Sequence, residues 1–464
     1  MVTIWTPDLS RYQGARYKAL AEAISNDILS GVLSPDEKLP PQRRLADALG
    51  VTVGTVTRGY AEAERRGLVN AKVGSGTYIR SSGAQSMGDY LITDKPCGFT
   101  DLTVSLPVDV GQHSLLANTL QELHQQPELL SRLLGYHPEG GFSHHREIAA
   151  QWLSYDDFTP SADCLTLCNG GQQAIQLALM SVCQPGDTLL AEGVAYPGLK
   201  VLARQLKLKI IPLSFDSEGM LTESIDGLCR QYSPRLIYCT PTQHNPTNTR
   251  LSKARRESLV QAAQRNQLLI IEDEVSAVLA QQRDLPLAAM LPDQVFYISS
   301  CSKSMAGGLR VGFLVSPPAY HCKVSAALRA SCWMAAPLMV EIACRWIKQG
   351  HADKLLNQQK KKLRERFLIA KTLLAGLEFH ARADSFFVWL SLPDHWRALD
   401  FVRAVETQKI MITAAESFAV ANYAAPQAVR ICISAAENNE VLSKALLAIK
   451  TLALSTPDTE LSLF

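Results

Sequence analysis

Lys303 sits where an apolar run breaks into small residues, in Tyr297-Ile-Ser-Ser-Cys-Ser-Lys-Ser-Met-Ala-Gly-Gly-Leu-Arg310. Ser300 and Ser302 precede it and Arg310 follows seven residues later, a donor set suited to a phosphate that leaves the amine for another task. A lysine amine condenses with an aldehyde, and pyridoxal 5'-phosphate needs both such an amine and an anion cradle. A solvated Lys and Arg on a glycine-rich loop would give the same pattern, so other stretches must agree before it means more.

Four other stretches end apolar runs in residues of matching chemistry. Leu165-Thr-Leu-Cys-Asn-Gly-Gly-Gln-Gln-Ala-Ile175 reads as strand, glycine turn and helix start, with the amides of Gly171 and Gln172 placed to donate to a phosphate. Glu192-Gly-Val-Ala-Tyr-Pro-Gly198 offers Tyr196 as a ring to lie on a flat cofactor. Leu236-Ile-Tyr-Cys-Thr-Pro-Thr-Gln-His-Asn-Pro-Thr-Asn248 sets the Asn245 amide after a strand, where it could donate to a phenolic oxygen. Leu268-Leu-Ile-Ile-Glu-Asp-Glu274 ends a buried strand in acids, which suits Asp273 to a pyridinium nitrogen. Each alone has a plainer reading, as a turn, a packing ring or a helix cap. Their order along the chain makes one site of them: cradle, ring platform, amide, carboxylate and amine.

The elements that must position these residues alternate. Amphipathic helices over 173–182 and 198–205 alternate with strands over 188–191 and 209–212, which predicts an α/β domain with a mostly parallel sheet. Ligands of such sheets sit beyond the carboxyl ends of the strands. At 464 residues the chain is long for one domain, and a prior of ~150 residues each suggests two or three. Lys plus Arg (46) nearly balance Asp plus Glu (44), which rules out a strong overall field. Residues 1–82 hold 11 basic and 8 acidic side chains, net +3, so the remainder is net −1; the excess permits nucleic-acid binding without demanding it. Eleven cysteines without CxxC pairs read as reduced thiols of a cytoplasmic protein. The amino terminus lacks a secretory pattern, and the most apolar window, 330–340, is too short for a bilayer and reads as a buried helix.

The first segment has another architecture. Leu20, Ile24 and Ile28 repeat at helical spacing, a second helix is opened by proline and closed by Gly50, and Thr52 caps a third running to about Arg66. Helix, tight turn and helix, then alternating residues around Gly74-Ser-Gly76, predict a helix-turn-helix with a two-stranded wing. A small helical bundle serving as a protein contact would share much of this spacing. The stretch 81–88 is small, polar and aperiodic, and reads as a connector.

Residues 14–80 resemble the winged helix-turn-helix of the GntR regulators in the run Leu39-Pro-Pro-Gln-Arg-Arg-Leu-Ala46, the turn before Thr52 and the Gly74-Ser-Gly-Thr77 wing tip, with Pro41 replacing the usual serine. The resemblance implies that Arg43 reaches a phosphate or base, Thr52 and Thr55 meet the DNA backbone, Arg58 faces the major groove, and Gly76 lets the wing approach the minor groove. Val53 and Thr57 stand where many relatives carry arginine. The remainder resembles fold-type I aminotransferases, and nearly the whole chain resembles the MocR subfamily of GntR regulators. The expected architecture is therefore multidomain: a DNA-binding winged helix over 1–82, a linker over 83–100, and an aminotransferase-like domain over 101–464, with its large part about 101–330 and its small part about 331–464.

By that resemblance Lys303 would hold pyridoxal phosphate through its aldehyde, Asp273 would keep the ring nitrogen protonated, Asn245 would bond the phenolic oxygen, and Tyr196 would stack on the ring. Ser300, Ser302, Arg310 and the amides near Gly171 and Gln172 would bind the phosphate. Arg430, in Val429-Arg430-Ile-Cys-Ile, matches the arginine for a substrate α-carboxylate; unaided, its position reads as surface. Tyr136, in Gly-Tyr-His-Pro-Glu-Gly-Gly, matches an aromatic lent across a homodimer to the neighbouring phosphate. Two features depart from the pattern. Val275 and Ser276 replace a tyrosine after the aspartate, and the first strand, 103–107, lacks a glycine found near the substrate. His137, His144, His145 and His244 lack metal spacing and receive no role, and no metal is expected.

The leading expectation is a cytoplasmic, homodimeric regulator of double-stranded operator DNA. It would sense an amino compound by transimination, the ligand's amine replacing that of Lys303 on the cofactor carbon. An active aminotransferase carrying a regulatory DNA module, and a cofactor-free interaction protein, are the alternatives.

Overall fold

The structure is a computed structural model and describes residues 4–12, 14–34, 36–72, 75–79 and 98–456. The expected linker up to residue 97, and Gly74 of the wing, lie outside them. Leu20, Ile24 and Ile28 fall on one face of α1 (Arg16–Leu29) and meet Leu45 of α2 (Gln42–Leu49) and Val56, Tyr60 and Ala63 of α3 (Val53–Arg65) in a closed core. Gly50 ends α2 in the left-handed conformation, and the Thr52 hydroxyl accepts from the Thr55 amide at 3.2 Å to start α3. Strands β1 (Val69–Lys72) and β2 (Gly76–Ile79) pair antiparallel as the wing.

The next elements are β3 (Thr100–Asp101), α4 (Gln112–His124), α5 (Pro127–Leu133), α6 (Ser143–Leu153), β4 (Leu165–Cys168), α7 (Gly171–Val182), β5 (Thr188–Glu192), α8 (Pro197–Gln205) and β6 (Lys209–Leu213). They are followed by β7 (Phe215–Asp216), β8 (Gly219–Met220), α9 (Ile225–Tyr232), β9 (Leu236–Cys239), α10 (Lys253–Asn266), β10 (Leu269–Asp273), α11 (Leu287–Met290), β11 (Val295–Ser300) and β12 (Gly312–Val315). The chain continues through α12 (His321–Cys332), α13 (Pro337–Lys348), α14 (His351–Leu373), β13 (Phe379–Ala381), β14 (Val388–Ser391), α15 (Ala398–Thr407), β15 (Ile410–Met411), β16 (Thr413–Ala414), β17 (Ala428–Ile431) and α16 (Asn439–Leu454).

Seven strands form one sheet in the order β4-β12-β11-β10-β9-β5-β6, and only β12 runs against its neighbours. Alternate residues feed opposite cores: Ile237, Ile270 and Tyr297 pack on one face, Tyr238, Ile271 and Phe296 on the other. A sheet covered on both faces demands such unbroken apolar runs, which is why its strands were legible. Six strands thus end along one edge, where β4, β5, β9, β10 and β11 release Gly171, Tyr196, Asn245, Asp273 and Lys303. A second sheet, β13-β14-β17-β16, packs with α15 and α16 around Phe401, Val429, Ile431 and Leu446 in a smaller lobe.

Three expectations need correction. Residues 330–340 are not one buried helix: 330–332 end α12, 333–336 bend, and Pro337 starts α13, with Ala335 and Val340 buried and the rest exposed or half-buried. Residues 103–107 form no strand; the short β3 precedes them and pairs parallel with β15. Arg430, read as surface from sequence alone, is fully buried on β17.

Candidate cofactor and DNA sites

The turn between β4 and α7 decides where an anion could sit. Gly170 has φ 89°, and a Cβ there would come within 2.5 Å of the Arg310 guanidinium. Only glycine lets that guanidinium lie against the turn. Arg310 donates to the Asn169 carbonyl at 3.2 Å, so it stands beside the first amides of α7, which have no carbonyl partner within the helix. Ser300 is buried at the end of β11 and accepts from the Ser302 amide at 3.2 Å, which tightens the turn toward Lys303.

Lys303 donates to the Ser105 carbonyl, and its ammonium lies 5.1 Å from the centre of the Phe386 ring. Burial holds the amine down to about 8, with the nearby Arg430 and Arg310 adding to the effect and Cys432 and Asp273 opposing it. Asp273 accepts from the Tyr238 hydroxyl at 2.7 Å and from the Val275 amide at 3.2 Å. Burial pushes its carboxyl up, against those two hydrogen bonds and Lys303. Asn245 lies in the loop after β9 and is joined to Pro246 by a cis bond; its Oδ1 accepts from Arg430 Nη1 at 2.8 Å, leaving its amide hydrogens for another partner. Arg430 Nη2 donates to the Thr103 carbonyl at 2.6 Å, and the guanidinium is sandwiched 5.4 Å from the Phe387 ring and 4.6 Å from Phe418. Its Nε is buried without a partner among the described residues. Tyr196 is half-buried and caps α8 beside Gln172, whose amide donates to the Gly198 carbonyl at 3.0 Å.

This donor set fits pyridoxal phosphate. A glycine-lined turn holds amides and a guanidinium for an anion, a buried amine is tuned toward neutrality, and a fixed carboxylate and a free amide face the same edge.

Residues 100–449 match the family of aminotransferase class I and II, and residues 16–79 match the gntR family of bacterial regulatory proteins. The HTH-type transcriptional regulator YdeF of Bacillus subtilis is 31% identical over 450 residues, spanning 97% of this chain and 96% of that one. The chain belongs to the MocR-type GntR regulators. Like its relatives it is a DNA-binding transcriptional regulator with an aminotransferase-like domain. The vitamin B6 salvage pathway transcriptional repressor PtsJ of Salmonella typhimurium is 27% identical over 432 residues, 92% of this chain and 96% of that one. An archaeal alanine:glyoxylate aminotransferase shares the fold with a TM-score of 0.70, 24% identity, and coverage of 76% of this chain and 90% of that one.

In this MocR-type regulator Arg43 and Arg58 are exposed on α2 and α3, and the Arg58 guanidinium lies 5.3 Å over the Tyr17 ring. The Thr52 and Thr55 hydroxyls lie 2.9 Å apart at the start of α3, and Gly76 opens β2 against the Lys38 side chain. Tyr136 stands apart from the residues expected to hold the cofactor. It is 86% exposed, 6.0 Å from Trp333, with Leu134 exposed nearby in sequence.

The sequence reading missed Tyr238, whose hydroxyl fixes Asp273, and the three phenylalanines around Lys303 and Arg430. Tyr238 sits opposite Ile271 in the β9–β10 register, so only strand pairing reveals it. The histidines also gain partners. His244 Nε2 lies 3.2 Å from Glu192, both buried, where burial pushes Glu192 up to about 8 and His244 down to about 4. His144, His145 and Glu341 bring ligand atoms within 4.8 Å of one another, despite the expectation from spacing. Glu341 there bonds His145 at 2.7 Å and Arg345 at 3.0 Å, which holds its carboxyl down to about 2.

Proposed function

We propose that this regulator binds pyridoxal phosphate at Lys303 and reads a small amino compound bearing a carboxylate. The observation that carries the reading is the meeting of Lys303, Asp273 and the Asn245–Arg430 pair at one sheet edge, within reach of the Gly170 turn. When bound, the cofactor supplies an aldehyde that exchanges one primary amine for another and a ring that accepts electrons. Asp273, held by Tyr238, pairs with the ring nitrogen; the Asn245 amide donates to the phenolic oxygen; Tyr196 covers the ring. Ser300, Ser302, Arg310 and the amides of Gly171 and Gln172 take the phosphate, and Tyr136 of a second copy completes the cradle in a homodimer. Arg430 takes the ligand's carboxylate through its guanidinium fork. Lys303, buried and near neutrality, would be the amine that holds the cofactor's aldehyde, and once freed by a ligand's amine it would be placed to hold a proton.

On the DNA side, Arg43, Thr52, Thr55, Arg58 and Gly76 form the face that meets an operator, with Arg58 in the major groove. A protein that binds operator DNA works in the cytoplasm, and no described helix is long and apolar enough to cross a membrane.

The test is the visible spectrum of the protein with pyridoxal phosphate, titrated with a panel of amino acids and compared with Lys303→Ala. A band absent in the variant, shifted by one ligand without further conversion, is expected. Conversion to the pyridoxamine form, reversed by a keto acid, makes the protein an aminotransferase first. No band at all overturns the cofactor assignment.

A further inference from the structure

The recognition helix does not end in solvent. Gly67, at φ 70°, ends α3 locally, with its amide donating to the Glu64 carbonyl and the Leu68 amide to the Ala63 carbonyl, each at 2.9 Å; the small lobe adds two donors there, Arg397 to the Glu64 carbonyl and Gln427 Nε2 to the Arg65 carbonyl at 3.0 Å. An arginine there also suits the negative end of the helix dipole. Ala424, just before Gln427, packs against the winged-helix core.

Gln427 is anchored in the small lobe on its other side. Its Oε1 accepts from the Ala398 amide at 2.8 Å at the start of α15, and its carbonyl accepts from Leu392 at 2.8 Å. Gln427 sits in a bend, closed by the Ala428 amide donating to the Pro426 carbonyl at 2.9 Å, from which β17 runs directly to Arg430 three residues on. The segment doubles back on the site before reaching Gln427. Phe418 covers the Arg430 guanidinium at 4.6 Å and accepts from the Ala195 amide at 2.9 Å. The Tyr423 ring lies so close to Gly193 that a Cβ there would meet it at 2.4 Å. The stretch 418–430 therefore touches the arginine, the turn that carries Tyr196, and the end of α3.

The contact between the modules is polar. Two polar clefts, of about 180 and about 310 Å³, lie along it, lined by charged groups including Glu22, Arg65 and Arg403. Polar, incompletely filled interfaces between domains are the kind that open.

We propose that the segment Phe418–Arg430 couples the carboxylate site to the recognition helix, by holding or releasing the terminal carbonyls of α3 through Gln427 and Arg397. This rests on Arg430 being the carboxylate site. A carboxylate bound there competes with Asn245 and Thr103 for the guanidinium, moves it against Phe418, and so shifts the strand that runs from Gln427.

The experiment is amide hydrogen exchange over residues 60–68 of the full-length protein. The probe is N-(5'-phosphopyridoxyl)-L-alanine, a stable conjugate carrying the α-carboxylate, and its binding is followed separately by thermal shift. Binding should change exchange at 60–68 by at least about fivefold, the lower end of allosteric couplings. In Arg397→Ala/Gln427→Ala the same amides should exchange fast from the outset and lose their response while the conjugate still binds; Gln427→Glu, which sets a carboxylate against a carbonyl, should do the same. A conjugate that binds without altering 60–68 overturns the coupling. Exchange at 60–68 equal to wild type in both variants overturns the docking. A conjugate that does not bind sinks the carboxylate reading instead, and the unliganded variants still decide the docking.

Discussion

Burial gives Lys303 a titration that can be checked. Its amine is held down to about 8 from the usual 10.5. Cofactor capture requires the neutral amine, so the rate at which the visible band forms should rise with pH to a midpoint near 8; a midpoint near 10 would show an exposed lysine. The linkage has a definite sign. Between about 8 and 10.5 an unfolded lysine keeps a proton that the folded one has lost, so this group's destabilising effect is full below 8 and is relieved as pH rises through that window. Tyr238 makes a second prediction. Tyr238→Phe removes the hydrogen bond to Asp273 without changing shape and should weaken pyridoxal phosphate binding about tenfold, or about 1.4 kcal/mol, in a fluorescence titration. Lys303 and Asp273 were legible because each ends an apolar run, whereas Tyr238 lies inside one, where nothing but the neighbouring strand distinguishes it from a packing ring.

At the scale of elements, α3 is started by Thr52 and ended by Gly67, and the small lobe docks on its last carbonyls. Thr52→Ala deletes the cap to Thr55 and should lower winged-helix stability by about 1 kcal/mol in a melting experiment. Arg43→Ala should leave melting unchanged, Arg58→Ala should lower stability by at most about 0.5–1 kcal/mol through its lost contact with the Tyr17 ring, and each should weaken operator binding by about 1–3 kcal/mol, measured at fixed salt. Unchanged affinity in both would remove α2 and α3 from the DNA face. The helices and strands were readable here because caps, periodicity and turns are local. The segment 330–340 shows the opposite: its composition is apolar, but a proline and the packing of two separate helices make it an elbow.

For the whole molecule, Leu134, Tyr136 and Trp333 leave large apolar groups in solvent on the single chain. A second copy covering them would give light scattering at twice 50.9 kDa. Tyr136→Ala should then weaken pyridoxal phosphate binding without altering the melting of the isolated chain, and a monomer with full affinity would sink the shared site. By itself the sequence determined the two fold classes, the order of the strand ends and the chemistry released at each, because backbone periodicity, caps and apolar runs act over a few neighbouring residues. Tertiary structure alone decided that Arg430 is buried between two rings, that Tyr238 holds Asp273, and that Arg397 and Gln427 dock on the end of α3. These contacts join residues a dozen to hundreds of positions apart, and only strand pairing or the packing of separate segments brings their side chains together.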